Sequence, residues 1–486
     1  MSRFLGQLTR CFVVVLALAW ATLPISAQTP PPTGFINHGL IGIGRQAAAL
    51  RDKFGETTFS GSGMTVDPKT WRRDGDTYHG VFYLLPDRGW NTGGTIDYRP
   101  RLHKLSISFT PKAVGATPQA DAVAIALADT ILLTDAAGEP LTGLDPDGVR
   151  PAANGFPDLP QASNGRISLD PEAIALLPDG SFFISDEYGP YIYRFSATGR
   201  MLGAIRPPDA LIPIRKGGQD FSSNNPGPGG SAPVPPDPEF GRQNNQGFEG
   251  LALTPDGKTL AVILQSATRQ DGGTSAATRE HTRMLFYDVS DAAQPKLVRH
   301  IVVTLPVFTD ARGRRRIAAQ SELLALDNDR FLLLCRDGSN GYGLETATSL
   351  YRRIELLDVR GATNLVGTSY ERTAPIAPGG KLVAGIKPAT LASFIDINDN
   401  AQLNKFGLHN GEPNDRNNLS EKWESMALLP ALDPAHPNEF FLFVANDNDF
   451  MTQNGFQVGA PYKDSSGVDV DSIFLVYRVT IPPLPK

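Results

Sequence analysis

A ten-residue stretch, PEAIALLPDG at residues 171–180, decides the fold because its pattern returns along the chain. Each copy has a glutamate, a short apolar run, a polar turn and a second apolar run. The clearest copies are PEAIALLPDG at 171–180, FEGLALTPDG at 248–257, SELLALDND at 321–329 and WESMALLP at 423–430. Two apolar runs joined by a tight Asp-Gly or Asn-Asp turn predict a β-hairpin.

A weaker copy without the glutamate, SGMTVD at residues 62–67, is followed by the apolar run VFYLL at 81–85. Units that recur every ~75 to 100 residues and form small antiparallel sheets are typical of propeller blades with long loops. The sequence therefore predicts an all-β, single-domain β-propeller of five or six four-stranded antiparallel blades. The wide gaps after residues 63 and 322 leave room for the sixth blade. A pair of β-sandwiches is the alternative architecture.

The N-terminus has the features of a targeting segment. Arg3 and Arg10 precede an apolar run over residues 11–21, and a small residue, Ala27, offers a cleavage site. That run is too short to span a bilayer. We therefore expect a signal peptide at 1–27, an N-terminal segment at 28–54 that supplies a blade-closing strand, and the propeller domain at 55–486. A periplasmic or secreted location follows.

Charge limits the partners that the chain can have. The formal net charge is −6, and removal of residues 1–27 takes away two arginines and no acid. An acidic protein is a poor ligand for nucleic acid or an anionic membrane surface. We expect a monomer that binds a small anionic or ester substrate, with no nucleic acid partner and no membrane partner after processing.

The repeated glutamates carry the functional prediction. In a propeller the first strand of each blade lines the central channel, so equivalent residues converge around one axis. These positions are Glu172, Glu249, Glu322 and Glu424. The second strands end near further polar residues, Asp186, Glu187, Asp337 and Asp447, with Arg88, Arg336 and Lys422 as nearby cations.

Carboxylates confined together must take up protons, pair with cations or bind a metal ion. The seven histidines do not cluster, and oxygen ligands alone favour calcium or magnesium over zinc. The predicted metal ligands, with Ca²⁺ as the expected ion, are Glu172, Glu249, Glu322, Glu424, Asp186, Glu187, Asp337 and Asp447. The predicted catalytic residues are Glu249, Glu172, Arg88 and Arg336, the arginines holding the substrate anion. Structural pairing of the glutamates with channel arginines remains the alternative.

Several segments resemble the phytase-like family described as "esterase-like activity of phytase". They are DPEAIA at 170–175, ISDEYGPYIYRF at 184–195, NQGFEGLA at 245–252, DRG at 87–89 and KWES at 422–425. The resemblance covers roughly residues 55–480. It implies a propeller fold, export and hydrolysis of phosphate or carboxylic esters.

Three functions are compatible with these features. The first is an exported phytase-like or esterase-like hydrolase that uses a metal ion in the channel. The second is a non-catalytic propeller whose acids are structural and whose loops bind a ligand or protein. The third is a sugar-lactone hydrolase or quinoprotein-type enzyme, for which Tyr188, Tyr191, Trp90 and Trp423 would form an aromatic channel mouth.

Overall fold

Five antiparallel sheets, each of four strands, surround one axis in the computed structural model, which describes residues 29–58, 61–112 and 121–483. From the inner strand outward, blade 1 is Gly63–Asp74, Thr77–Leu85, Arg101–Phe109 and Val123–Leu132. Blade 2 is Pro171–Leu176, Phe182–Asp186, Ile192–Phe195 and Met201–Ile205. Blade 3 is Phe248–Leu253, Thr259–Leu264, His281–Asp288 and Lys296–Thr304. Blade 4 is Ala319–Ala325, Arg330–Arg336, Arg352–Asp358 and Thr390–Asp396.

Blade 5 combines the two ends of the described chain. Its strands from the axis outward are Lys422–Pro430, Glu439–Asp447, Ser472–Thr480 and Ile36–Gln46. The N-terminal strand runs antiparallel to the C-terminal strand, with Leu40 opposite Tyr477 and Gln46 opposite Ser472. This pairing closes the ring and covers an edge that would otherwise expose unpaired backbone groups.

The remaining elements lie in the connections. Four two-stranded hairpins are Gly148–Arg150 with Leu159–Gln161, Ile214–Arg215 with Gly218–Gln219, Val307–Thr309 with Arg315–Ile317, and Gly455–Gln457 with Ala460–Tyr462. One α-helix, Asn400–Leu403, and the 3₁₀ helices Asp209–Leu211, Arg269–Asp271, Ser369–Glu371, Pro378–Gly380 and Asn404–Phe406 complete the inventory of the described ranges. No helix in these ranges is long and apolar enough to cross a membrane. The predicted signal peptide lies outside the described residues.

The all-β propeller prediction is confirmed, and the blade number within the described residues is five. The two wide sequence gaps hold loops and a small hairpin instead of a sixth blade. The predicted turns form as tight reversals: Gly180 N–H donates to Leu177 O at 3.0 Å, and Gly180 has φ +83°. Glycine adopts that backbone without the steric cost of a side chain.

The hydrophobic core is divided among the interfaces between blades. One buried cluster joins Phe82 and Phe109 of blade 1 to Phe441 and Phe443 of blade 5. Equivalent clusters fill the interfaces of blades 1 and 2, 2 and 3, 3 and 4, and 4 and 5. Both faces of each sheet are therefore buried, which is why the strands read as continuous apolar runs.

Ring closure should contribute measurably to stability. Leu40, on the N-terminal strand, is fully buried in the cluster between blades 4 and 5, whereas Ile36 on the same strand is 48% exposed. We expect Leu40→Ala to lower the free energy of unfolding by about 2–5 kcal/mol, because it leaves a cavity in the core. Ile36→Ala is the matched control and should cost less than about 1 kcal/mol. Urea titration of the mature protein measures both, and equal losses would show that the strand is not packed as described.

Candidate functional site

The charged residues of the repeats meet at the end of the channel where the inner strands begin. Carboxylates from blades 1, 2, 3 and 5 and their connections face one another and a smaller set of cations. The carboxylates are Asp87, Asp170, Glu172, Glu187, Glu249, Glu424, Asp447 and Asp449, and the cations are Arg88, Arg242, Arg336 and Lys422. We call this set the acid end of the channel.

β-Bulges direct the repeated glutamates. The strand pairing shifts register between Pro171 and Ile174, between Phe248 and Leu251, and between Trp423 and Ser425. Glu172, Glu249 and Glu424 lie inside these shifts. A bulge leaves a residue unpaired and re-aims its side chain, so three blades turn a glutamate toward the axis.

Glu322 departs from this arrangement. In blade 4 the extra residue is Ser321, and Glu322 is already paired in register with Leu334. Its carboxylate accepts a hydrogen bond from the Leu323 N–H at 2.7 Å. The side chain lines an apolar cavity of about 560 Å³ at the opposite end of the channel, beside Met64 and Met426. Glu322 thus differs from the other three glutamates in its place in the bulge, but burial raises its pKa and the charge of Glu424 still adds to that shift.

Three glutamates of the acid end have no cationic partner. Glu172 makes no hydrogen bond or ion pair with another described residue. The Oε1 atom of Glu187 and the Oε2 atom of Glu249 are buried without a hydrogen-bond partner in the described structure, while Glu249 Oε1 accepts from the Gln265 amide. Exposure of these side chains is 7%, 1% and 2%, respectively. Buried acceptors without donors are costly unless a proton or a cation satisfies them.

Burial and mutual repulsion show in the acid–base behaviour of this group. Burial raises the pKa of Glu172 and of Glu249, and the charge of a neighbouring glutamate raises each further. Burial raises the pKa of Glu187 to about 8, with Asp170 adding to the shift and Arg88 opposing it. Without a bound cation, Glu187 therefore holds a proton at neutral pH in the folded state.

Asp170 extends the unpaired group into a cluster of potential ligands. Carboxylate oxygens of Asp170, Glu172 and Glu187 lie within 4.8 Å of one another, and all three residues are buried. Asp170 also accepts from Arg88, whose Nη1 is 2.6 Å from Asp170 Oδ2. Three carboxylates at this spacing match the oxygen ligands that calcium and magnesium prefer.

Arg88 is held by more than Asp170. Its Nη1 also donates to the side chain of Asn245, a residue of the long connection between blades 2 and 3. The guanidinium lies 5.8 Å from the centre of the Tyr188 ring. Only 7% of Arg88 is exposed, so the arginine expected to bind a substrate anion is engaged with partners inside the protein.

The other half of the acid end consists of ion pairs. Arg336 Nη2 donates to Glu424 Oε1. Lys422 Nζ lies 2.6 Å from Asp449 Oδ1 and 3.9 Å from Asp447 Oδ2. Arg336 and Lys422 lower the pKa of Glu424, but burial outweighs them and the pKa is about 7. The channel end is therefore divided into a charge-paired side on blades 4 and 5 and a side on blades 2 and 3, called the unpaired side, where only Asp170 has an ion-pair partner.

Asp447 belongs to a second carboxylate cluster. Oxygens of Asp87, Asp447 and Asp449 lie within 4.8 Å of one another. Asp447 accepts from Ser62 Oγ at 2.9 Å and from the Asp449 N–H at 2.7 Å. Lys422 Nζ lies beside two of these carboxylates, so the positive charge of this cluster comes from a side chain of the protein.

Two predicted ligands are used for structural hydrogen bonds. Asp186 accepts from the backbone N–H groups of Asp170, Tyr188 and Gly189 at 2.9, 3.2 and 2.6 Å. Asp337 accepts from Ser349 Oγ at 2.6 Å and from the Leu350 N–H at 2.7 Å. Both carboxylates fix the chain reversals that follow the second strands.

The aromatic channel mouth does not form as expected. Tyr188, Tyr191 and Trp423 are fully buried. The Tyr191 ring packs in the core between blades 1 and 2, and the Trp423 ring packs in the core between blades 4 and 5. Trp90 stacks on Tyr462, with the ring centres 4.5 Å apart. These rings stabilise the interfaces and a loop instead of lining an entrance.

Sequence reasoning missed several members of the acid end. Asp170 stands two residues before Glu172, and Asp449 two residues after Asp447, so their proximity to predicted ligands was a usable signal. Arg242 gave no such signal: its guanidinium donates to the carbonyls of Tyr188 and Gln243 at the ends of a long loop. Burial lowers the pKa of Arg242 to about 10, and the charge of Glu187 opposes that shift.

Comparison with known proteins places the chain in a family. A relative from Arthroderma benhamiae, named an uncharacterized secreted protein, is 40% identical over 477 residues, which is 90% of this chain and 92% of the relative. Two solved structures share 11% sequence identity with this chain. A luciferin-regenerating enzyme matches with a TM-score of 0.27, covering 90% of this chain and 96% of its own, and Kuenenia stuttgartiensis hydrazine synthase with 0.26, covering 82% and 80%. Similarities at these TM-scores support no structural inference.

The family model described as "Phytase-like: Esterase-like activity of phytase" matches residues 61–450, which span all five inner strands and the acid end. The chain therefore belongs to the phytase-like family of esterase-like β-propellers.

Proposed function

We propose that the protein is an exported hydrolase of phosphate or carboxylic esters that works at the acid end of the channel with a bound divalent cation of the calcium class. The observation that carries the proposal is the pair of buried carboxylate oxygens, Glu187 Oε1 and Glu249 Oε2, that lack a donor in the described structure. The family supports ester chemistry, and the secreted relative and the predicted signal peptide support export.

The residues of the unpaired side fit such a cation. Asp170, Glu172 and Glu187 offer three oxygens at suitable mutual distances, and no histidine or cysteine accompanies them. A bound cation would polarise the ester oxygen and lower the pKa of a water molecule beside it. Binding would also replace the proton that Glu187 otherwise holds at neutral pH.

Glu249 has a separate part in this proposal. Its Oε1 is fixed by Gln265, so the free Oε2 is held in one orientation toward the acid end. The neighbouring charges of Glu187 and Glu424 raise its pKa beyond the effect of burial. A carboxyl group with a raised pKa can accept and return a proton near neutral pH, so Glu249 is the proposed general acid–base group.

Arg88 and Arg336 supply positive charge from side chains that are almost completely buried. Each pairs with an acid, Asp170 and Glu424, respectively. Their proposed role is to hold these carboxylates in place and to offset part of the negative charge that would repel an anionic substrate.

A non-catalytic propeller is the rival function. The ion pairs Arg336–Glu424 and Lys422–Asp449 favour it, because acids paired with cations have a purely structural explanation. That explanation does not apply to Glu172, Glu187 and Glu249, because none of them forms an ion pair with a described residue. Turnover separates the two functions: Glu249→Gln should abolish hydrolysis of test esters, whereas Asp76→Asn, at an acid whose side chain is 94% exposed, should not.

Cation binding should stabilise the folded protein. After EDTA treatment, added calcium at a hundred times its Kd is expected to raise the free energy of unfolding by about 2.7 kcal/mol. Glu187→Gln should lose this response, and in EDTA it should be at least as stable as the wild type because the amide is neutral without the proton that Glu187 must take up on folding. Thermal unfolding of the mature protein with and without calcium measures both effects. A full calcium response in Glu187→Gln would contradict the assigned ligands.

The pH dependence of stability follows from the raised pKa of Glu187. The folded state keeps this proton up to about pH 8, whereas the unfolded state loses it near the ordinary glutamate value of 4.5. The unfolded state is therefore favoured progressively as the pH rises from 4.5 to 8, and stability in EDTA should fall across that window.

Glu187→Gln provides the comparison, because it removes the titrating group and should flatten the fall. Saturating calcium should also flatten it, since the cation competes with protons and binds better at higher pH. Urea unfolding at pH 5 and pH 8, in EDTA and in calcium, gives the required values. Parallel pH profiles for the wild type and Glu187→Gln in EDTA would show that Glu187 is not protonated as described.

A further inference from the structure

The sequence DARGRRRI at residues 310–317 places four arginines in five positions of a chain with a net charge of −6. It forms the turn and second strand of the hairpin Val307–Thr309 with Arg315–Ile317, which links blade 3 to blade 4. Phe308 pairs with Arg316, and Thr309 with Arg315. Because side chains alternate along a strand, Phe308 and Arg316 share one face and Arg315 lies on the other.

The two faces of this hairpin differ in how their charge is neutralised. Arg315 donates to the Glu280 carboxylate and to the Ala277 carbonyl. The face of Arg316 borders a cavity of about 980 Å³. Arg279, Arg312 and Arg314 also line that cavity. We call this space the arginine cavity.

The acids Asp310, Glu345 and Glu421 line the arginine cavity together with its four arginines and offset their positive charge only in part. Asp310 Oδ2 accepts from Arg314 Nε at 2.8 Å and from Arg316 Nε at 2.9 Å. The Nη groups of both arginines make no hydrogen bond within the described part of the chain. One carboxylate therefore holds two guanidinium groups through their Nε atoms and leaves the Nη groups available to a ligand.

Arg279 has no acidic partner in the described ranges. It is partly buried, and its Nε is buried without a hydrogen bond. Burial lowers its pKa, and the positive charge of Arg316, which also lines the cavity, lowers it further. An arginine pair of this kind fits a doubly charged oxyanion, since guanidinium forks bind phosphate oxygens in bidentate fashion.

The rest of the wall is mixed: apolar side chains lie beside the polar residues Ser339, Asn340, Glu345, Thr346, Thr348 and Glu421. Phe308, Ile317 and Leu344 line the cavity, and Leu350 beside them is 43% exposed. The cavity also meets the acid end through Glu421, which accepts from the Ser339 N–H at 2.5 Å and lies 4.0 Å from Arg336 Nη1. A ligand here could contact both the arginines and the charge-paired side of the channel.

We infer that the arginine cavity binds a small organic molecule with a dianionic phosphate-type group and an apolar ring, the anion between Arg279 and Arg316 and the ring against Phe308. Binding is a property of the cavity alone. Its use as the site for the non-reacting end of a substrate rests on the proposed hydrolase function.

Phenylphosphonate is the probe, because it has the ring and the dianion but a carbon–phosphorus bond that ester hydrolysis cannot break. Calorimetry at about pH 8, where the group is doubly charged, is done in EDTA so that no metal-bound state contributes. The wild type should bind the probe, and the Arg279→Gln/Arg316→Gln double variant should bind at least about tenfold more weakly. Arg73→Gln, at an arginine that lines a different cavity, is the control and should leave the affinity unchanged.

Arg312→Gln covers the case in which the double variant does not fold, because Arg312 is exposed on the turn. It should weaken binding by a smaller factor. Absence of binding to the wild type, or equal affinity in the wild type and the arginine variants, would overturn the inference. Failure of the hydrolase proposal looks different: phenylphosphonate would still bind in EDTA while no ester is turned over.

Discussion

Packing between neighbouring blades is the interaction on which the structure depends. Every large apolar cluster of the propeller is shared by two sheets, so no blade has a core of its own. Phe443 of blade 5, for example, packs against Phe82 and Phe109 of blade 1. Removal of one blade would therefore expose two apolar faces, and the sheets hold their positions around the axis only as a complete ring. The acid end exists because that ring fixes loops and strand ends from different blades at close distances.

The stability of the ring permits an electrostatic arrangement that is unfavourable by itself. Glu172, Glu187 and Glu249 are buried in the same group with raised pKa values, and none of them forms an ion pair with a described residue. On the opposite side Arg336 and Lys422 neutralise Glu424 and Asp449. On blades 2 and 3 the acids outnumber their one ion-pair partner, Arg88, whereas on the other side each of these two acids has a cation beside it. Perturbed acids in a cleft are frequent at functional sites, and this division locates the candidate ligands more narrowly than the repeat does.

The sequence was sufficient for the features that depend on local pattern. Apolar runs around Asp-Gly turns identified the hairpins, and their repetition identified the propeller and placed Glu172, Glu249 and Glu424 together. Features that depend on the exact strand pairing could not be predicted from the sequence. The bulge at Ser321 instead of Glu322 changes the location of one carboxylate without changing the repeat pattern. Asp186 and Asp337 look like ligands in the sequence, but backbone N–H groups and a hydroxyl use their oxygens. Asn245 and Arg242 come from a long loop whose path has no periodic signal.

The strand Ile36–Gln46 has a consequence for the order in which the molecule can assemble. Its partner, Ser472–Thr480, is the last strand of the described residues, so the first described strand must wait for it. Blades 1 to 4 are each built from one continuous segment, but blade 5 cannot form until both of these distant strands are present. Pairing between residues so distant in sequence is slow. A nascent chain would therefore remain an open arc, without its finished channel, until the strand Ser472–Thr480 is free to pair.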